Sequence, residues 1–330
     1  MTMGEPSGIG PEIAIEAWRR LRGGPDVFAW FGDPALLADT AARLGLRVPI
    51  REVAGAGAVG ETFDEALPVV PLGLRVAAEP GRPDPANAPA VLRSIDLAVT
   101  ACGAGEAAGV VTNPIQKSAL YAAGFRHPGH TEYLGTIAPG DAAPVMMLVC
   151  PELRVVPVTI HVALRDAIAG LTHDAIVATA RAVDRALRRD FAIAAPRLAV
   201  AGLNPHAGES GSMGREDSEI VAPSVARLRA EGIDAAGPLP PDTMFTPRAR
   251  RTYDAAICMY HDQALIPLKT LDVDGGVNVT LGLSVVRTSP DHGTALDIAG
   301  RGTADPSSLI AAIRLAAAVA ANRVQGDRTC

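Results

Sequence analysis

The sequence predicts an α/β fold of two domains wound together. Short apolar runs alternate with helix-period segments along the chain, the pattern of sheets covered by helices. The 330 residues suit about two domains. No flexible linker divides the chain into halves, so it is expected to cross between them.

In chain order the expected elements are helix 11–21, strand 26–31, helices 34–44 and 87–101, strands 107–112, 145–150 and 154–160, helix 172–189, strand 197–203, helix 217–231, strands 254–260 and 277–287, and helix 306–322. The strands are short apolar runs, whereas the helices repeat their apolar residues with the 3.6 period. In 172–189, Ile176, Ala180, Val183 and Leu187 fall on one stripe, with Arg181, Asp184, Arg185 and Arg188 away from it. The last helix opens at Asp305-Pro306, an N-cap acceptor followed by a proline at the first helical position. Glycine and proline sit mostly between elements.

Composition removes several function classes. A net charge of -6 leaves no basic face for general nucleic-acid binding. Charged residues at 20% beside 48% hydrophobics argue against disorder. No run of about 18 apolar residues is present, so no membrane span is expected. The first residues lack the basic and apolar regions of a signal peptide, which points to the cytoplasm. Cys102, Cys150, Cys258 and Cys330 form no CxxC pair and read as reduced thiols, with Cys102 and Cys150 in apolar stretches as core residues. Gly55-Ala56-Gly57-Ala58-Val59-Gly60 matches GxGxxG after the strand-like run 48–53. The eight residues after it end at Pro68, too short for the helix that motif needs, so it reads as a flexible loop.

Three of the seven histidines end strand-like runs: His161, His206 and His261. Ligands in open α/β sheets collect beyond the carboxyl ends of strands, so three imidazoles there are a candidate metal site with open positions. Spacings of 45 and 55 residues make no local motif. Imidazoles suit zinc, cobalt or manganese. Asp262 directly follows one candidate ligand and could orient it, although neighbours on a strand face opposite ways. Lys269, Asn278 and Arg287 follow at equal steps of nine residues, with the cations suited to phosphate or carboxylate. Lys117 and Lys269 are the two lysines among 30 basic residues. Where arginine is the default cation, a lysine is expected at sites that arginine would not fit. Thr131 is expected to cap a helix beginning at Glu132, with His130 beside its anion-favouring N-terminus. The glycine-rich loop 208–214 and His292 carry no firm assignment, and His173 reads as a helix start.

Six segments together resemble the 4-hydroxythreonine-4-phosphate dehydrogenase family, NAD-dependent enzymes of pyridoxal phosphate biosynthesis. They are Gly4-Glu5-Pro6-Ser7-Gly8-Ile9-Gly10-Pro11-Glu12, Pro128-Gly129-His130-Thr131-Glu132, Leu203-Asn204-Pro205-His206-Ala207-Gly208-Glu209, Met259-Tyr260-His261-Asp262-Gln263, 276–283 and Asp291-His292-Gly293-Thr294-Ala295. The first also looks like the GDGIGPE opening of isopropylmalate and isocitrate dehydrogenases. The resemblance implies two interleaved α/β/α domains with a cleft between them, isopropylmalate dehydrogenase-like and not Rossmann. Their approximate extents would be 1–120 with 300–330, and 121–299. It implies that His161, His206 and His261 bind one divalent ion (Zn, Co or Mg). His130, Thr131, Lys269, Asn278 and Arg287 would contact the phosphorylated substrate. NAD or NADP would be the cofactor, and a homodimer would share its active sites between subunits.

The implied reaction oxidises a β-hydroxy acid phosphate, with decarboxylation of the β-keto product. A catabolic enzyme for D-threonate or D-erythronate 4-phosphate would carry the same site. A non-redox metal-dependent hydrolase or aldolase, or a metal-binding protein without catalysis, are the readings from other classes. Family members usually carry a strand before the first segment, where this chain has Met1, Thr2 and Met3. A late start or a truncated first strand is therefore expected. Lys117 has no role in the resemblance, and the composition argument alone places it near the active-site cleft.

Overall fold

The computed structural model describes residues 1–329 apart from Pro128 and Asp141; the side chains of 327–329 and all of Cys330 lie outside the described residues. The chain forms two compact units, Met1–Ala143 with Leu283–Ala320, and Pro144–Gly282 with Ala321–Cys330. The divisions fall at 143/144 and 282/283, where the sequence placed them near 120 and 300. His130, Thr131 and Arg287 therefore belong to the first unit.

The first unit contains α1 (Gly10–Leu21), β1 (Trp30–Gly32), α2 (Pro34–Arg43), β2 (Ile50–Glu52), β3 (Leu67–Pro71), α3 (Ala88–Gly103), β4 (Val110–Val111), α4 (Lys117–Ala122) and α5 (His130–Ile137). Residues 55–60 form a short turn and open no α-helix, as the rejected GxGxxG requires. Strands β1, β3 and β2 are parallel, with Trp30 opposite Val69 and Ile50 opposite Leu67. The buried N-terminal residues do a strand's work. Thr2 bridges to Phe31, its amide donates to Val111 O at 3.0 Å, and Asn113 Nδ2 donates to Thr2 O at 2.9 Å. Three residues thus bridge β1 to the β4 segment, between strands of two separate sheets. Trp18, Trp30, Phe63 and Ile13 form the core, and the Trp18 indole donates to Phe63 O.

The second unit contains β5 (Val145–Cys150), β6 (Leu153–Pro157), α6 (Leu164–Gly170), α7 (His173–Arg189), β7 (Arg197–Ala201), α8 (Ala222–Ala230), β8 (Asp234–Leu239), α9 (Pro241–Met244), β9 (Ala255–Cys258), α10 (His261–Leu271) and β10 (Val277–Leu281). Its strands run in the order β10-β5-β6-β9-β7-β8. The pairs β10–β5 and β5–β6 are antiparallel, and β6–β9, β9–β7 and β7–β8 are parallel. Ala264 and Leu268 of α10 pack on Leu148, Val155, Ala256 and Cys258, which fixes that helix against the sheet. Cys150 and Cys258 are buried and Cys102 is half-buried, and burial raises all three thiol pKa values, so they are core residues and poor nucleophiles.

The expected strand 277–287 is two strands. After β10 the chain turns, and β11 (Arg287–Pro290) pairs in parallel with β4 of the first unit, Arg287 opposite Val110. It is followed by α11 (Ser307–Thr329). Over Ser307–Gly326, α11 is apolar and long enough to cross a membrane by length and composition alone, although it holds no unbroken run of 18 apolar residues. Buried core helices share that property, and Leu309, Ala312, Ile313 and Val319 are at most 4% exposed. Thr288 of β11 donates its hydroxyl to Ala312 O at 2.8 Å.

Candidate active site

A cationic corner forms in the first unit. Arg287 is 4% exposed, and its Nε and Nη2 donate to Thr112 Oγ1 at 3.1 and 2.7 Å. Burial pushes its pKa down to about 10, so it stays charged at neutral pH. His130 is the first residue of α5, where Gly129 is the N-cap in extended backbone and no side chain caps the helix. This corrects the expected start at Glu132 with Thr131 as cap; Thr131 is the second helical residue, half-buried. The uncapped first-turn amides leave the helix end open to an anion.

Two side chains crowd the start of α5 at Gly129. A Cβ there would lie 2.9 Å from Glu132 Oε2 and 3.2 Å from Lys117 Nζ. Lys117, the first residue of α4, therefore ends beside the start of α5, which His130 opens. His130 Nε2 is buried without a hydrogen-bond partner among the described residues. Burial first, then the charges of Arg287 and Lys117, hold its pKa well below the usual histidine value. His130 is thus expected to stay neutral at pH 6. The unfolded chain takes up a proton near pH 6.5 that the folded chain refuses, so His130 makes acidification below that pH destabilising. Histidine NMR titration tests this. A midpoint at or above 6.5 in the free protein refutes it, and saturating phosphate is expected to raise the midpoint.

In the second unit, the adjacent parallel strands β6, β9 and β7 send their carboxyl ends to one edge. His161, His261 and His206 follow those ends. The rings of His161 and His261 are 5.5 Å apart, centroid to centroid. His261 begins α10 and does not end a strand. On that helix Asp262 Oδ1 reaches His261 Nδ1 at 2.7 Å, so the strand-based objection to an orienting carboxylate falls away. His206 lies in a left-handed run, with φ of 52° to 77° at 206–208 and 39° and 59° at Glu209 and Ser210. Among the described residues no three His, Cys, Asp or Glu side chains are gathered closely enough to hold a metal. The backbone brings three imidazoles to one edge, but only two rings approach each other.

Two residues that the sequence did not single out build this edge. Gln263 accepts from Met259 N at 2.6 Å and donates to Gly202 O at 2.7 Å, tying the ends of β9 and β7 together. Asp217, 2% exposed, accepts from Leu203 N, Asn204 N and Asn204 Nδ2 at 2.7, 3.0 and 2.9 Å. A Cβ on Gly202 would lie 2.8 Å from Ala207 and 2.9 Å from Asp217 Oδ1, so glycine lets the left-handed turn fold back onto β7. Gln263 lies in the Met259–Gln263 motif, but with no helix expected there its burial on α10 had no sequence signal. Asp217 gave no signal. Lys269 is exposed on α10; Asn278, on β10, has a buried Oδ1 without a hydrogen-bond partner among the described residues.

Comparison with known proteins adds the family. A family model described as pyridoxal phosphate biosynthetic protein PdxA matches residues 26–316. A 4-hydroxythreonine-4-phosphate dehydrogenase of Bradyrhizobium diazoefficiens is 56% identical over 97% of this chain and 96% of its own. One from Methylorubrum populi is 59% identical over 96% and 92%. The crystal structure of 4-hydroxythreonine-4-phosphate dehydrogenase from Klebsiella pneumoniae superposes with a TM-score of 0.84 at 39% identity, covering 97% of this chain and 96% of that one.

Proposed function

The chain belongs to the PdxA family of pyridoxal phosphate biosynthetic proteins, and from that premise we propose that it is a 4-hydroxythreonine-4-phosphate dehydrogenase. It oxidises the 3-hydroxyl carbon of 4-phosphohydroxy-L-threonine with NAD or NADP. The β-keto acid then loses CO2 to give 3-amino-2-oxopropyl phosphate. The observation that carries this reading is the anion-ready corner of the first unit, where charged Arg287 and neutral His130 meet the open end of α5. Arg287 offers a forked cation, His130 an N–H and Thr131 a hydroxyl, which together hold and orient a phosphate. In the second unit, Asn278, whose buried Oδ1 lacks a partner among the described residues, and Lys269 are the remaining candidates for substrate contact.

The donor types suit a divalent ion such as zinc, cobalt or magnesium held by His161, His206 and His261, with His206 still to join the pair. When bound, such an ion supplies Lewis acidity to the substrate's oxygen. Asp262 orients the His261 ring by accepting at Nδ1, which leaves Nε2 for an electrophile. The nicotinamide dinucleotide supplies the hydride acceptor. The reading includes a cytoplasmic homodimer. It is supported by exposed apolar side chains in the second unit, with Val162 and Leu164 near α6 at 57% and 56%, and Ile266 and Val273 near α10 at 65% and 66%.

The test is NADH or NADPH formation, read at 340 nm, with 4-phosphohydroxy-L-threonine, D-threonate 4-phosphate and D-erythronate 4-phosphate. Turnover is expected fastest with the first and lost on chelation, returning with zinc or cobalt. No reduced cofactor with any substrate in metal-replete protein would sink the dehydrogenase reading. Preference for either sugar-acid phosphate would move the chain to the catabolic branch.

A further inference from the structure

We propose that Lys117 is a phosphate-binding residue of the substrate site, acting beside Arg287 and His130. This rests on the dehydrogenase reading for the identity of the substrate, but not for the presence of a phosphate site. The Lys117 ammonium lies at the N-cap of α5, in the space that a side chain at 129 would fill. Its charge and that of Arg287 both act on His130, so two cations converge on one imidazole with a buried, unsatisfied Nε2. Charge count selects the ligand. A carboxylate needs one cation, whereas a phosphate dianion is matched by the two that meet here.

Glu132 is the carboxylate nearest to this point, with Oε2 2.9 Å from the same Cβ position. No ion pair joins it to Lys117 among the described residues, and it follows His130 by two positions on α5. Residue type fits the space. The lysine side chain is a slender chain ending in a point charge, and its Nζ lies 3.2 Å from the Cβ position at Gly129. A chain that uses arginine for nearly all its cations keeps one of its two lysines here.

The test uses the full chain with Lys117→Met, which keeps length and removes charge, Lys117→Arg and Glu132→Gln. Calorimetric titration with inorganic phosphate reads the site directly, and acetate reports a single negative charge. Lys117→Met is expected to weaken phosphate binding by about 10–100-fold while acetate binding changes less than about threefold. In turnover it should raise KM for the phosphorylated substrate by a similar factor and change kcat by less than about threefold. Lys117→Arg is expected to recover only part of the loss, and Glu132→Gln to leave phosphate binding within about twofold. Phosphate binding unchanged in Lys117→Met overturns the proposal. So does an equal loss in Glu132→Gln, which would make Lys117 the partner of that carboxylate. If the parent fails to oxidise any substrate but phosphate binding still depends on Lys117, the function is wrong and the anion site stands.

Discussion

Asp217→Ala is expected to lower the melting temperature by roughly 6–10 °C and to weaken uptake of zinc or cobalt by about tenfold or more. Asp217 is buried and takes hydrogen bonds from two backbone amides and one side-chain amide. Bonds to a charged acceptor are worth about 1.5–3 kcal/mol each, and the variant leaves donors at Leu203 and Asn204 unpaired. A net loss of about 3–5 kcal/mol converts to that shift at about 2 °C per kcal/mol for a chain of this size. The metal effect has a separate origin. Four non-glycine residues, His206, Ala207, Glu209 and Ser210, hold positive φ. Each costs about 1–2 kcal/mol in that region, so the turn needs an external clamp. Without Asp217 the turn relaxes and His206 loses the backbone position from which it would join the other two histidines, an effect of the size seen when ligand-orienting groups are removed. Asp217→Asn keeps one acceptor oxygen and should fall between parent and alanine in both measurements. If Asp217→Ala melts with the parent and binds zinc with unchanged affinity, the turn supports itself and this account is wrong.

That turn marks the limit of what the sequence reveals. The apolar runs at 145–150, 154–160, 197–203 and 254–260 locate β5, β6, β7 and β9, because strands in the centre of a sheet carry their own signal. The amphipathic stripe likewise locates α7. β3 and β8 escaped notice because prolines flank or interrupt them, at Pro68, Pro71 and Pro238, and because Asp234–Leu239 is poor in β-branched residues. The helices α4, α5 and α6 are only six to eight residues long, too short for a period to declare itself. Strand order, not spacing, brings the three histidines to one edge, and strand order is not local information. Left-handed backbone at Ala207 or Ser210 has no residue signature, since neither type favours it. Lys117 was singled out by the opposite route, from its rarity in the whole chain and not from its neighbours.

Arg287→Met is expected to leave the melting temperature unchanged or higher while kcat/KM for the phosphorylated substrate falls roughly 100-fold or more, mostly through KM. The guanidinium pKa, pushed down to about 10 by burial, means that holding the charge in the free protein costs on the order of 3 kcal/mol. A buried charge replaced by an apolar side chain of similar length is often neutral or stabilising. The folded protein keeps an unfavourable charge in a site that an anionic ligand can repay, the usual conflict between stability and activity at binding sites. One complication is the Thr112 hydroxyl, which accepts both Nε and Nη2 and would lose those donors. The double variant Arg287→Met with Thr112→Val removes both sides of the interaction, and replacing both partners by apolar groups is close to neutral. Thermal melting of the double variant therefore isolates the charge. A fall of more than about 5 °C would make Arg287 a structural residue of β11. An unchanged KM in either variant would remove it from the phosphate site and leave His130 and Lys117 to hold the anion alone.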